Sequence, residues 1–375
     1  MATLQYLTTT QFDHGALARV AKHLAKLGIG RPLVCTDPGL KAAGLLDRLL
    51  ALLPEDGSVT VYDQTPGNPT ETAVLAALER YREADCDGIV AMGDGSSMDL
   101  GKAVGLLATH AGPLGQYNAA DGGSRKIKEI APLIAIPTTA GTGSEVSVGA
   151  VIVLADGRKA TLISPHLLPR LAICDPDLTL GLPAALTAAT GMDAITHCIE
   201  AVLSPVVDPP AEAVGLDGLA RGIRHIERAV ADGADAEARW HMMMASTEGA
   251  LAFIKGLGAV HGLSHALGRL PEPKLHHGTL NAVILPAVLR FNQGHAGDKY
   301  DRLRGAMNLA PDADLATAIE DLNARLGLPP GLAAMGVTEA VLADTIPQAV
   351  ADLATATNPR EAGAREYETI FRAAL

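Results

Sequence analysis

The segment GMDAITHCIEAV, residues 191–202, sets a carboxylate, Asp193, four residues before an imidazole, His197. On a helix those positions share one face, a turn apart. A carboxylate oxygen and an imidazole nitrogen are half of a transition-metal site. They also make an ordinary buried Asp–His hydrogen bond, and the pair alone does not decide. GLGAVHGLSHALG then places His261 and His265 four apart, and PKLHHGTLNAVILP supplies His276 and His277. Five of the chain's twelve histidines fall in these three short segments, and that clustering favours a metal centre. Spacing does not choose between His261 and His265, or between His276 and His277.

Two other stretches have the residue types that cradle phosphate. GDGSSMDLGK (93–102) follows a strand pattern and opens a helix, where backbone N–H groups face an anion. Its candidates are Gly93, Asp94, Gly95, Ser96, Ser97 and Asp99. PTTAGTGSEVS (137–147) follows another apolar strand and offers Thr138, Thr139, Thr142 and Ser144. Asp37 ends the strand RPLVCTD; an acid there suits a ribose 2′-hydroxyl and repels a 2′-phosphate, pointing to NAD. The same Asp37 is equally suited to cap the helix that follows.

These residues need a frame. RPLVCTD, SVTVYD, GIVAMG and APLIAIPTT read as strands, the first three each followed by a helical pattern such as GLKAAGLLDRLLALL or PTETAVLAALERYREADC. Strands separated by helices imply a parallel, Rossmann-like sheet. The glycine-rich turn follows the third of these strands, whereas an ordinary dinucleotide fold carries it after the first. A β-rich piece, VSVGAVIVLADGRKATLISP, comes next. From about Pro183 the segments become long and helical. The expected organisation is an α/β nucleotide domain over 1–184 and an all-α helical bundle carrying the metal over 185–375. The triple Met242, Met243 and Met244 reads as core filling.

With 375 residues, 48% of them hydrophobic, the chain is long enough for both cores. A net charge of −12 without a basic cluster argues against nucleic acid and anionic membranes as partners. No apolar run reaches transmembrane length, and the N-terminus lacks a secretory pattern. Four cysteines without CxxC spacing fit a reduced, cytoplasmic setting.

Taken together, NPT (68–70), GDGSSMDLGK, PTTAGTGSEV, DP at 175–176, GMDAITHCIEA, VHGLSHALG and HHGTLNAVILP resemble the iron-containing alcohol dehydrogenase family nearly end to end. YLTTTQFDHGAL, HLLPRLAICDPDLTLGLP and LHHGTLNAVILPAVLRFN are most similar to the family's 4-hydroxybutyrate dehydrogenases. The resemblance implies a divalent ion, Fe²⁺ with Zn²⁺ as the competing occupant, held by Asp193, His197, His261 and His277. It implies that His265 is catalytic rather than a ligand, that Asn68 joins the NAD contacts, and that the enzyme is a homodimer. The implied reaction is hydride transfer between NAD(H) and a small alcohol or aldehyde: 4-hydroxybutyrate and succinate semialdehyde first, a general short-chain or propanediol-type alcohol as the alternative.

Two departures stand out. The family usually has three glycines before the Ser of the phosphate loop, and here the middle one is Asp94, whose charge near a pyrophosphate should weaken binding unless it points to solvent. The loop GRLPEPKL, between the His motifs, is slightly longer than in propanediol-type members. An ω-hydroxy acid also needs a cation for its distal carboxylate; Lys159, His166, Arg170, Arg269 and Lys274 are the candidates. A dehydroquinate synthase-type enzyme shares this architecture but wants basic residues around the metal, and GMDAITHCIEAV has none. A non-catalytic nucleotide-binding or metal-storage protein has only Asp94 in its favour. Cys198, beside His197, reads as packing, because the reaction needs no covalent intermediate.

Overall fold

The computed structural model describes residues 8–270 and 272–375. Residues 1–7, part of the N-terminus read as non-secretory, and Pro271, in the GRLPEPKL loop, lie outside the described residues. The chain forms two compact units, one of residues 8–139 with 143–179, the other of 140–142 with 180–375.

The first unit holds β1 (Thr10–Phe12), β2 (Pro32–Cys35), β3 (Thr60–Tyr62), β4 (Gly88–Gly93), β5 (Leu133–Pro137), β6 (Gly149–Val153), β7 (Lys159–Ile163) and β8 (Leu171–Cys174). Six of them form a parallel sheet in the order β1-β8-β5-β4-β2-β3, while β6 and β7 pair as an antiparallel hairpin. Its helices are α1 (Val20–Leu27), α2 (Pro38–Ala42), α3 (Leu45–Leu50), α4 (Glu71–Glu83) and α5 (Gly95–Thr109).

The central strands β2, β4, β5 and β8 read as continuous apolar runs because both faces are covered. Leu33, Cys35, Ile89, Ala91, Leu133 and Ala135 point into one core with Val74, Leu78, Met98 and Val104 of α4 and α5. The alternate residues Val34, Val90, Met92, Ile134 and Ile136 point into another with Val20, Leu24, Leu46 and Leu49 of α1 and α3. Two sequence expectations change. The strand β1 was not anticipated, so the glycine-rich turn follows the fourth strand of the chain. The helical pattern at 39–53 is broken into α2 and α3, because Gly44 adopts φ 73° and interrupts the helix.

The second unit holds α6 (Ala184–Leu203), α7 (Pro209–Ala231), α8 (Ala236–Ala252), α9 (Ala259–Leu267), α10 (His277–Asn292), α11 (Lys299–Ala306), α12 (Leu315–Arg325), α13 (Leu342–Ala351) and α14 (Ala364–Ala374). Helix α6 is buried on every side from Thr187 to Leu203 and packs against α7, α8 and α10. A helix apolar all round belongs in the middle of a bundle. Its C-terminal carbonyls, at Ala201, Val202 and Ser204, accept hydrogen bonds from the buried Lys255 ammonium, which Glu212 pairs at 2.7 Å. Met242 and Met243 are buried core residues of α8. No single helix among the described residues is long and apolar enough to cross a bilayer.

Candidate metal centre and nucleotide loops

Asp193 and His197 lie on α6, His261 and His265 on α9, and His277 opens α10. Helix packing converges them. The Nε2 atoms of His197, His261 and His277 lie 3.8, 3.9 and 3.6 Å from one oxygen, Asp193 Oδ1. The His197 and His261 rings stack at 4.6 Å. Gly278 lets α10 approach this closely, since a Cβ there would meet the Ala189 carbonyl of α6 at 2.2 Å. His276 stands just outside α10 as its N-cap residue. His265 turns its Nδ1 to Asp352 Oδ2 at 3.1 Å, and its ring stacks on His277 at 5.3 Å.

The donor set fits a metal ion. Asp193, His197 and His261 are buried, with ligand atoms all within 4.8 Å of one another. Four-coordinate geometry with bonds of about 2.1 Å separates ligand atoms by about 3.4 Å, close to the Oδ1–Nε2 spacings here. The charges point the same way. Burial would raise the Asp193 carboxyl, but His197, His277 and a hydrogen bond from Asn281 hold it below the usual carboxylate range. Burial pushes His197 down, against Asp193 and the Gly141 backbone, and pushes His261 down further, helped by the neighbouring imidazoles. An ionised carboxylate beside two neutral imidazoles is a buried negative charge, and a divalent cation completes its balance. The Asn281 amide already sits where the donors converge, with Nδ2 at 2.7 Å from Asp193 Oδ1 and 3.1 Å from both His261 Nε2 and His277 Nε2. Its own Oδ1 is buried without a hydrogen-bond partner among the described residues.

In the first unit, the nucleotide candidates gather at the carboxyl ends of adjacent strands β5, β4, β2 and β3, where open parallel sheets bind ligands. Gly93 ends β4 at φ 156°, and a Cβ there would meet Ser97 Oγ at 2.5 Å, so only glycine makes this turn. The buried Ser97 hydroxyl has no hydrogen-bond partner among the described residues. Ser96 Oγ donates to the Gly67 carbonyl at 2.8 Å, tying the turn to the Asn68 loop. Asp37 caps α2, accepting from the Gly39 and Leu40 N–H groups. Asp94 does not point to solvent: it caps α5, with Oδ1 accepting from Ser96 N at 2.9 Å and Ser97 N at 3.4 Å. Burial and the Asp37 charge push its carboxyl up to about 6.

Other candidates have structural partners. Asp99 accepts from Ser144 Oγ at 2.7 Å and Val151 N at 2.8 Å, and Ser144 also accepts from the buried Lys102 ammonium. These two residues brace the frame behind the turn. Thr138 and Thr139 are buried at the end of β5. Thr142 belongs to the short piece that clusters with the helical unit.

A family model described as iron-containing alcohol dehydrogenase matches residues 8–176, and the C-terminal model of the same family matches residues 187–375. The chain belongs to the iron-containing alcohol dehydrogenase family. It is 53% identical to a 4-hydroxybutyrate dehydrogenase of Cupriavidus necator, over all of both chains. Among solved structures, 1,3-propanediol oxidoreductase superposes with a TM-score of 0.94 at 36% identity, covering all of both chains. A sulfoacetaldehyde reductase from Bifidobacterium kashiwanohense, solved in complex with NAD⁺, superposes with a TM-score of 0.90 at 29% identity, covering 100% of this chain and 99% of the other. As a member of this family the protein is a metal-dependent oxidoreductase acting on an alcohol or aldehyde.

Of the five candidate carboxylate anchors, Lys159 approaches Asn68 at 3.5 Å, and His166 and Arg170 line a cavity of about 400 Å³ with Thr9, Glu129 and Pro165 in the first unit. Lys274 is exposed beyond α9. Arg269, two residues past α9, holds Gln348 at 3.0 Å. Burial would raise the Asp352 carboxyl, but His265, and more weakly Arg269, hold it below its usual range.

Sequence reasoning passed over three site residues. Glu200 lies on the Asp193 face of α6, and Asn281 lies a turn after His277, so helical spacing alone would have found both. Asp352 is 87 residues from His265, and nothing local marks it.

Proposed function

We propose that this protein interconverts 4-hydroxybutyrate and succinate semialdehyde with NAD(H), using a divalent ion held by Asp193, His197, His261 and His277. The observation that carries the substrate is the 53% identity, over the full length of both chains, to the Cupriavidus necator 4-hydroxybutyrate dehydrogenase. The ion supplies Lewis acidity, lowering the pKa of a substrate hydroxyl or polarising a carbonyl. The chain's own residues do the rest. Oxidation removes a hydride, which goes to the nicotinamide, and a proton, for which His265 is the relay. Asp352 accepts from His265 Nδ1, which leaves Nε2 to exchange the proton with substrate. The turn at Gly93, Gly95, Ser96 and Ser97, with Asn68, Thr138, Thr139 and Thr142, holds the dinucleotide, and Asp37 selects NAD by its charge. Arg269 is assigned the distal carboxylate, because it is a cation two residues past α9, the helix that carries His261 and His265. The four buried thiols support a reduced cytoplasmic setting, and the family resemblance supports a homodimer.

The test is NADH oxidation by anaerobically Fe²⁺-reconstituted protein, with succinate semialdehyde against butyraldehyde at equal concentration. A strong preference for the semialdehyde, lost in Arg269→Leu, is expected. Equal or reversed rates would refute the substrate and favour the second reading, a propanediol-type or general alcohol dehydrogenase, which the fit to 1,3-propanediol oxidoreductase supports.

A further inference from the structure

Gly258 is the N-cap residue of helix α9 and has no side chain to cap it. The first N–H groups of the helix are satisfied from elsewhere. Glu200 Oε1 accepts from Val260 N at 2.8 Å, and Oε2 accepts from His261 N at 3.3 Å. The Gly258 N–H also bonds this carboxyl, while Ala259 N donates to Asn358 Oδ1 at 3.1 Å. The same Glu200 Oε2 lies 2.6 Å from His261 Nδ1. Glu200 is 3% exposed, so these contacts are dry.

Three backbone N–H groups, of Gly258, Val260 and His261, donate to the Glu200 carboxyl and oppose the burial that pushes it up to about 8; as a carboxylate it has only acceptors to offer. A carboxylate oxygen 2.6 Å from Nδ1 favours the Nδ1–H tautomer of His261. The other side of the ring is compatible with this: Asn281 Nδ2 lies 3.1 Å from His261 Nε2 and faces its lone pair in the Nδ1–H tautomer, its two hydrogens shared among that atom, Asp193 Oδ1 and His277 Nε2. That lone pair is aimed at the convergence of Asp193 and His277.

We propose that Glu200 is a positioning residue of the metal centre: its carboxylate locks His261 as the Nδ1–H tautomer, presenting Nε2 to the ion, while anchoring the first turn of α9. The inference rests on the four-ligand centre proposed above. It links two structural jobs in one side chain. Glu200 shares α6 with Asp193 and His197, so the helix carrying two ligands also orients a third on another helix. Carboxylate partners of ligand imidazoles typically contribute 10–100-fold to metal affinity.

Glu200→Gln keeps the size and places one amide N–H₂ among donors. The arrangement that spares the Val260 and Gly258 N–H groups turns that N–H₂ toward His261 Nδ1 and drives the ring to the Nε2–H tautomer. The experiment is Co²⁺ titration of metal-free protein against a competing chelator, with ¹⁵N-histidine NMR of the same samples assigned by difference from His261→Ala. Glu200→Gln is expected to bind Co²⁺ roughly 10–100-fold more weakly and to move the His261 proton to Nε2. Asn358→Ala, which removes the other cap of α9 without touching His261, is expected to lower the melting temperature while leaving both readouts near wild type. Wild-type affinity and an unchanged tautomer in Glu200→Gln would overturn the proposal alone. An equal loss of affinity in Asn358→Ala would reduce Glu200 to a helix cap and overturn it too. Failure of the wild type to bind one Co²⁺ per chain would overturn the four-ligand reading, and the proposal with it.

Discussion

Removing the charge of Asp94 should both stabilise the protein and tighten its hold on NAD(H). The carboxyl sits at the N-terminus of α5, where a phosphate is expected, and already uses the Ser96 and Ser97 N–H groups. Burial and Asp37 move it from 3.8 to about 6. That difference corresponds to at most about 3 kcal/mol against ionisation in the fold, and solvent at this half-buried residue leaves roughly 1–2 kcal/mol. A carboxyl raised by folding binds more protons in the native state, so its contribution to stability falls as pH rises from about 4 to about 6. Asp94→Asn keeps an oxygen for the two N–H groups and loses the charge. Its melting temperature should exceed wild type at pH 7.5, with the difference closing toward pH 4.

The nucleotide effect follows from the same charge. A unit charge about 5 Å from a phosphate charge repels it by roughly 2–3 kcal/mol at effective dielectric constants of about 20–40, or roughly 20–200-fold in Kd. Asp94→Gly also frees the two N–H groups, and glycine is tolerated at a helix N-cap at a cost of a few tenths of a kcal/mol. The assay is NADH fluorescence titration at pH 7.5 and pH 5.5. Both variants should bind at least several-fold tighter than wild type at the higher pH, and wild type should close part of the gap at the lower. Unchanged Kd values in both variants at both pH values would refute the reasoning, and the expected phosphate position with it.

The division of labour among the histidines predicts that His261→Ala loses stoichiometric metal, measured by elemental analysis after anaerobic reconstitution. His265→Ala should retain metal while kcat falls roughly 10²-fold or more; metal loss in both would undo the separation. All four thiols are buried, and burial pushes those of Cys35 and Cys198 far above their usual range. Native protein treated with iodoacetamide should keep its intact mass, whereas unfolded protein gains four adducts; rapid native labelling of Cys198 would contradict its role as packing.

The sequence by itself determined most of the elements and which residues share one face of an element. Apolar runs marked the central strands β2, β4 and β5 of the parallel sheet, since two covered faces leave no polar alternation. Spacings of four placed Asp193 with His197 and His261 with His265, because helical geometry is local. It did not find β1, a three-residue strand held by pairing with β8 rather than by its own pattern. Nor did it decide which histidines meet. The tertiary packing of α6, α9 and α10 brings His261 Nε2 toward Asp193 and sends His265 to Asp352, contacts between residues 68 and 87 positions apart. It also turned Asp94 inward, onto the α5 N–H groups that a solvent-facing side chain would have left free. Local spacing fixes which residues share a face. Only the burial of whole helices against one another fixes which faces converge, and that convergence is what makes the site.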